Sequence, residues 1–240
     1  MTFRQRVETL ERLETFPDAA LAAQLESENL QLFETLRNQI KQGTRPQILR
    51  APDSPSGQSY DYLDELILGI LQYEDPSDAL NLDPEIVPYQ PTPARHILDL
   101  LARTQLTSAD VLIDLGSGLG QVALLTSICT EAQAIGIELD PAYVHCATQA
   151  ARSLNLTRVN FLQQDARQSN LSRGTVFYLY TPFRGEILRT VLDKLRQESK
   201  TRNIQICTFG PCTPIIAREP WLEPTAPTDE DHIAIFHPSR

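Results

Sequence analysis

The sequence predicts an α/β fold: a doubly wound, mostly parallel sheet with an antiparallel last strand and a helical segment ahead of it. Three observations carry this. Between about residues 110 and 208, short apolar runs alternate with stretches of helical period, the pattern of parallel strands joined by crossover helices. A glycine turn, Asp114-Leu115-Gly116-Ser117-Gly118-Leu119-Gly120, follows the first of those runs, Val111-Leu112-Ile113, and leads into Val122-Ala123-Leu124-Leu125. Residues 1–85 read instead as helices joined by proline-rich connections.

Each element follows from local chemistry. Residues 2–15 read as a first helix. Pro17-Asp18 starts a second, with Asp18 as N-cap and Leu21, Leu25, Leu32, Leu36 and Ile40 on one side. Gly43 ends it in a left-handed cap. Thr44 to Ser59 carries Pro46, Pro52, Pro55 and Gly57 and is a loop. Residues 60–73 are helical again, with Leu63, Leu66, Ile67, Ile70 and Leu71 apolar. Pro84 to Pro93 holds four prolines and is extended. Thr92 or Pro93 opens a helix through Ile97, Leu98, Leu100 and Leu101. Strands are expected at 110–114, 133–138, 158–162, 175–180 and 203–208, and helices at 119–130, 141–154 and 184–199. The tail from Pro211 is proline-rich and ends in His232-Ile233-Ala234-Ile235-Phe236, a last strand at the far side of the sheet. The chain thus divides into residues 1–85, a lid or a homo-oligomerisation element, and residues 86–240, the sheet domain.

Composition bounds the function. A net charge of −10 with no long basic block argues against a general nucleic-acid binder, which needs a basic face. No stretch approaches the ~20 apolar residues of a membrane span, and Met1 to Leu10 is charged rather than leader-like. The expectation is a soluble, cytoplasmic protein. Cys129, Cys146, Cys207 and Cys212 form no zinc-like spacing with the histidines, so no metal is expected and the thiols read as reduced. Cys207 and Cys212 flank Thr208-Phe209-Gly210-Pro211 and are placed to approach each other across a turn. His96 and His145 fall in expected helices, with packing or surface roles.

In open α/β sheets ligands bind outside the carboxyl ends of the strands. Four stretches fall there. The first is the glycine turn. Its spacing is G-x-G-x-G, and Asp114 stands two residues before the first glycine. A dinucleotide site seats a pyrophosphate at the helix N-terminus, and this carboxylate would repel it. A ligand without phosphate and with a cationic head fits better. The second is Glu138, after Ala134-Ile135-Gly136-Ile137, an acceptor for the two hydroxyls of a ribose or else a solvated acid. The third is Asp165 in Gln163-Gln164-Asp165-Ala166, an acceptor for an exocyclic adenine amine or a loop acid. The fourth is Tyr180-Thr181-Pro182-Phe183, where a transferred group would point.

Over residues 86–209 these stretches resemble the class I S-adenosylmethionine-dependent methyltransferases, which have a Rossmann-like sheet. The resemblance implies S-adenosyl-L-methionine as cofactor. It implies that Asp114, Gly116, Ser117, Gly118 and Gly120 hold its methionine part, Glu138 its ribose, and Asp165 with Ala166 its adenine, with Leu139 packed on the base. Val87-Pro88-Tyr89-Gln90-Pro91-Thr92 and the turn that follows are similar to the core of the non-SET histone-lysine methyltransferases. There the extended segment folds over the cofactor, which implies Tyr89 and Thr92 near it. The family's basic substrate-binding tail has no counterpart here, and its asparagine-bearing motif is replaced by Tyr180-Thr181-Pro182-Phe183. Those four residues also resemble the Asn/Asp-Pro-Pro-aromatic motif of amino-group methyltransferases. That implies contact with the methyl acceptor, with Phe183 stacking or packing and Tyr180 nearest the methyl. Arg184 and Glu186 follow on the next helix's first turn, a grip for a charged substrate or else plain exposed charges. The expected activity is methyl transfer to nitrogen or oxygen of a small molecule or protein side chain. The rivals are a non-catalytic cofactor-binding scaffold and an NAD-dependent oxidoreductase.

Overall fold

A computed structural model describes residues 1–15, 18–74, 76 and 84–239. Pro17, the expected start of the second helix, lies outside the described residues. The helices are α1 (Phe3–Thr15), α2 (Ala19–Lys41), α3 (Tyr62–Leu71), α4 (Ala94–Thr104), α5 (Gln121–Cys129), α6 (Pro141–Ser153), α7 (Gly185–Ser199) and the short α8 (Thr213–Ile216). The strands are β1 (Val111–Leu115), β2 (Gln133–Glu138), β3 (Val159–Gln163), β4 (Val176–Leu179), β5 (Gln205–Thr208), β6 (Leu222–Pro224) and β7 (Ala234–Pro238).

Local signals set the element ends. The Asp18 carboxylate accepts from the Leu21 amide at 3.0 Å and caps α2. At the other end Gly43 takes φ +76°, and its amide and that of Thr44 return to the Ile40 and Gln39 carbonyls. This is the paired Schellman arrangement, which a glycine makes without strain. Asp61 and Asp64 form a reciprocal capping box at the start of α3.

The sheet order is β3-β2-β1-β4-β5-β7-β6. β1 to β5 pair in parallel, and β7 runs antiparallel against β5. The last strand was expected at the sheet's far side. It lies one place in, because β6 pairs on its outer edge. β6 spans three residues and α8 four, too short for a hydrophobic period to register in a proline-rich tail.

Strand alternation sends successive side chains to opposite faces. Leu112, Ala134, Val176, Tyr178 and Cys207 face one core with α4, α5 and α6. Ile113, Leu115, Ile137, Phe177, Leu179 and Ile206 face the other with α7. Helices α1 to α3 join the first core through Phe3, Leu36, Ile40, Leu66 and Ile70. Arg37 binds the Ile70 carbonyl and reaches Ser153 on α6 at 3.1 Å. Arg45 donates to the carbonyl of Cys129, at the end of α5. All four cysteines are buried and none is in a disulfide. The expected approach of Cys207 and Cys212 does not occur: they lie in the cores on opposite faces of the sheet. His96 is buried with Nε2 on the Gly57 carbonyl at 2.8 Å, and His145 is exposed. Among the described residues no helix is long and apolar enough to cross a membrane, and no cluster of potential metal ligands forms.

Candidate active site

The strand order reverses between β1 and β4, and the crevice outside their carboxyl ends is the place for a ligand in such a sheet. A cavity opens there. It is lined by the turn at Gly116 and Ser117, by Asp114, Glu138, Leu139, Asp165 and Ala166, by Tyr180 to Phe183, and by the segment 86–92.

The turn is built so that four of its amides are already used. Gly116 and Ser117 N–H both donate to the Ile137 carbonyl, at 2.9 and 3.0 Å. Gly118 N–H donates to Glu138 Oε2 at 2.8 Å, and Gly120 N–H to the Ser117 carbonyl at 2.8 Å. A phosphate cradle needs such amides free. Gly118 has φ +52°, and a Cβ on it would collide with the Tyr89 ring. Glycine therefore serves here both the turn and the close approach of an aromatic lid. Gly118 and Gly120 do not line the cavity. Gly120 starts α5 against the Phe161 ring. Ser117 Oγ is buried with no partner among the described residues.

Three carboxylates from three successive strand ends face this space. Asp114 is 3% exposed, and no described residue donates to its side chain. Burial, and then the nearby charge of Glu138, push its pKa up to about 8. Glu138 is fixed by backbone amides: Oε1 accepts from Leu139 and Asp140 at 2.7 and 2.9 Å, and Oε2 from Gly118. Oε2 keeps acceptor capacity for a ligand hydroxyl. Asp165 is gripped by Arg167 through Nε and Nη2, the shortest contact being 2.7 Å. Those bonds hold its carboxyl below the usual range. Arg167 is the one cation lining the cavity among the described residues, and it faces an acid.

Residues 85–92 form a strap across the opening. Val87 N–H donates to the Pro182 carbonyl at 3.1 Å, and Arg184 N–H to the Glu85 carbonyl at 2.9 Å, flanking an antiparallel bridge between Ile86 and Phe183. The Glu85 carboxylate accepts from the Glu186 and Ile187 amides at 3.2 and 3.0 Å, so the strap caps the positive end of α7. At the other end Thr92 Oγ1 bonds the Tyr178 hydroxyl at 2.9 Å. Tyr178 is fully buried and pairs in register with Asp114. Between these anchors the Tyr89 ring lies over Gly118, 5.2 Å from the Tyr143 ring.

The four residues expected at the acceptor have separate duties. Tyr180 Oη is buried without a partner among the described residues, and its ring packs 4.9 Å from Phe209. Burial pushes its pKa up to about 12. It is therefore a neutral hydroxyl near pH 7 rather than a base. Thr181 takes φ +43°, and its Oγ1 accepts from Cys212 N–H at 2.9 Å, joining the β4 and β5 ends. The Pro182 carbonyl is occupied by Val87. Phe183 is 5% exposed and packed in the second core, leaving little ring face for an acceptor. Arg184 and Glu186 lie outside the cavity lining. Sequence reasoning passed over Gln58, Tyr143, Arg167 and Tyr178, which all line the cavity. Arg167 alone left a signal, two residues after an acid.

Residues 88–178 match the family model described as histone methylation protein DOT1. That span holds most of the strap, the turn, Glu138 and Asp165, and ends on β4 at Tyr178. Residues 88–178 are thus similar to a methyltransferase core. Comparison with curated protein sequences gives no match. Similar solved structures include an RNA methyltransferase from Salinibacter ruber in complex with S-adenosyl-L-homocysteine. It is 26% identical, with a TM-score of 0.47 over 62% of this chain and 92% of that one. TrmN from Thermus thermophilus is 20% identical, with a TM-score of 0.47 over 62% of this chain and 49% of that one. A SAM-dependent methyltransferase from Aquifex aeolicus is 13% identical, with a TM-score of 0.46 over 59% and 88%. S-adenosylmethionine, the cofactor expected from the sequence, suits the residues present. Asp114 is a buried acid lacking a donor, as a cationic head requires, and Ser117 Oγ is an orphaned polar atom on the turn beside it.

Proposed function

We propose that this methyltransferase moves the methyl group to a nitrogen or oxygen of a small molecule or a protein side chain, the acceptor entering between the strap and the β4–β5 end of the sheet. The observation that supports the arrangement most is the pairing of Asp114, buried and without a donor, with a glycine turn whose amides are already bonded. A cationic, phosphate-free cofactor suits both, and a dinucleotide suits neither.

In this reading Asp114 and Ser117 face the methionine head, Glu138 accepts from the ribose, and Asp165, Ala166 and Leu139 border the adenine. Tyr89 and Thr92 close the strap over them. A bound cofactor would supply a methyl group on a sulfonium, already activated for displacement by an acceptor lone pair, with a neutral thioether as leaving group. The chain's own part is to align the acceptor and exclude water, effects that lower barriers by about 7–11 kcal/mol in well-oriented cases. Tyr180 contributes a neutral hydroxyl to orientation. The net charge of −10, and the pairing of Arg167 with Asp165, speak against RNA as acceptor.

Incubation with methyl-labelled cofactor and acceptors of each class tests this. Label is expected on small molecules or protein, with Tyr180→Phe slowing turnover and leaving cofactor affinity intact. Label confined to RNA would refute it.

A further inference from the structure

The charged groups lining the cavity are distributed unevenly. Asp114, Glu138, Asp165 and Arg167 all come from the β1–β3 ends. The β4–β5 ends and the start of α7 contribute Tyr178, Tyr180, Thr181, Pro182, Phe183, Ile187 and Pro211, none of them charged. One further residue reaches the cavity from far away in sequence: Gln58, in the loop between α2 and α3.

That loop is held unusually firmly for an irregular segment. Arg95, on the first turn of α4 and 7% exposed, donates to the carbonyls of Ser56, Gly57 and Ser59 at 3.1, 2.8 and 2.5 Å. His96 adds a bond to Gly57, and Tyr60 Oη donates to the Pro91 carbonyl of the strap at 3.0 Å. The Gln58 amide nitrogen reaches Asp231 at 3.4 Å, so its carbonyl oxygen is left to accept. Tyr180 Oη has no partner among the described residues. The loop and the β4 end thus offer one amide oxygen and one phenol hydroxyl beside apolar surface.

We propose that the loop Ser56–Tyr60 completes an uncharged acceptor half of the site, where Gln58 and Tyr180 select a small, uncharged aromatic acceptor. This rests on the function proposed above. An ammonium or guanidinium entering this half would lose its water without meeting a counter-charge on the cavity lining; Asp231, bonded to Gln58, lies outside that lining. A phosphate would meet the acids of the other half. An aryl hydroxyl or ring N–H can donate to the Gln58 oxygen, while another ring atom accepts from Tyr180. The reacting atom supplies its own lone pair, and any proton it carries leaves to solvent, since no lining residue of this half is a base.

The test uses the full chain loaded with S-adenosyl-L-homocysteine, and calorimetric binding of catechol, 8-hydroxyquinoline, a lysine-containing basic peptide and an oligoribonucleotide. One of the two ring compounds is expected to bind, and the peptide and oligonucleotide are not. Gln58→Ala is expected to weaken ring binding about tenfold, the scale of one buried hydrogen bond, and to leave S-adenosyl-L-homocysteine affinity within about twofold. Tyr180→Phe is expected to do the same. Binding of neither ring compound, binding of the peptide instead, or unchanged ring affinity in Gln58→Ala would overturn the proposal while leaving the cofactor assignment standing. Failure of the unaltered chain to bind S-adenosyl-L-homocysteine would overturn both.

Discussion

A buried carboxylate without a donor is costly to the fold, and among the described residues none donates to Asp114. Its pKa of about 8 makes the cost testable. In the ligand-free protein the folded state holds this proton more tightly than the unfolded chain does. Its contribution to stability is full below the ordinary aspartate value of about 4 and is lost as pH rises through about 8. Asp114→Asn removes that loss. The ligand-free variant is expected to melt above the unaltered protein at pH 9, by roughly 2–4 °C for each kcal/mol recovered, and to come close to it at pH 4. Thermal scans at the two values check this. Cofactor binding runs the other way, because the ionised acid attracts a cation. Affinity is expected to rise through about pH 8 in the unaltered protein, and to be flat and roughly 10–100-fold weaker in the variant. Asp114 was legible in the sequence because an acid at a strand end before glycines is unusual. Its missing donor was not, since that depends on what the whole crevice places around it.

At the scale of elements, the strap and the turn act together. Gly118→Ala is expected to abolish cofactor binding with circular dichroism unchanged, because the new Cβ meets the Tyr89 ring at φ +52°. Glu85→Ala removes the cap that ties the strap to α7, at a cost of about 1 kcal/mol, and is expected to raise KM for the cofactor more than it lowers kcat. Thr92→Val leaves the Tyr178 hydroxyl buried and unpaired, a cost of about 1–3 kcal/mol, and the double change with Tyr178→Phe is expected to be milder than the sum. Steady-state kinetics and denaturant melts distinguish these outcomes. The parallel strands and long helices were readable to within a few residues, because period and glycine punctuation are local. Tyr178 was not: it reads as one more apolar strand residue until register sets it beside Asp114. Gln58 sits in a loop without period, and bonds from distant residues, Arg95 and His96 foremost, bring it to the cavity.

For the whole molecule, the sequence divides at residue 85, yet α1 to α3 share a continuous core with α4, α5 and α6. Removing α1 and α2 would uncover Leu66 and Ile70, so the truncated chain is expected to lose its single cooperative melting transition. Calorimetry of both forms checks it. The cysteines, all buried, are expected to resist thiol reagents in the native state and to react fully on unfolding. The division of charge along the sheet edge, acids at β1–β3 and neutral groups at β4–β5, is a property no single motif carries. The central claim is that this acidic, amide-poor crevice holds a cationic, phosphate-free cofactor. Titration calorimetry with S-adenosylmethionine and NAD, on the unaltered chain and on Glu138→Ala, tests it most directly. Saturable heat with S-adenosylmethionine, none with NAD, and loss of the signal in the variant are the expected results; saturable binding of NAD, or unchanged S-adenosylmethionine affinity in Glu138→Ala, would contradict the account.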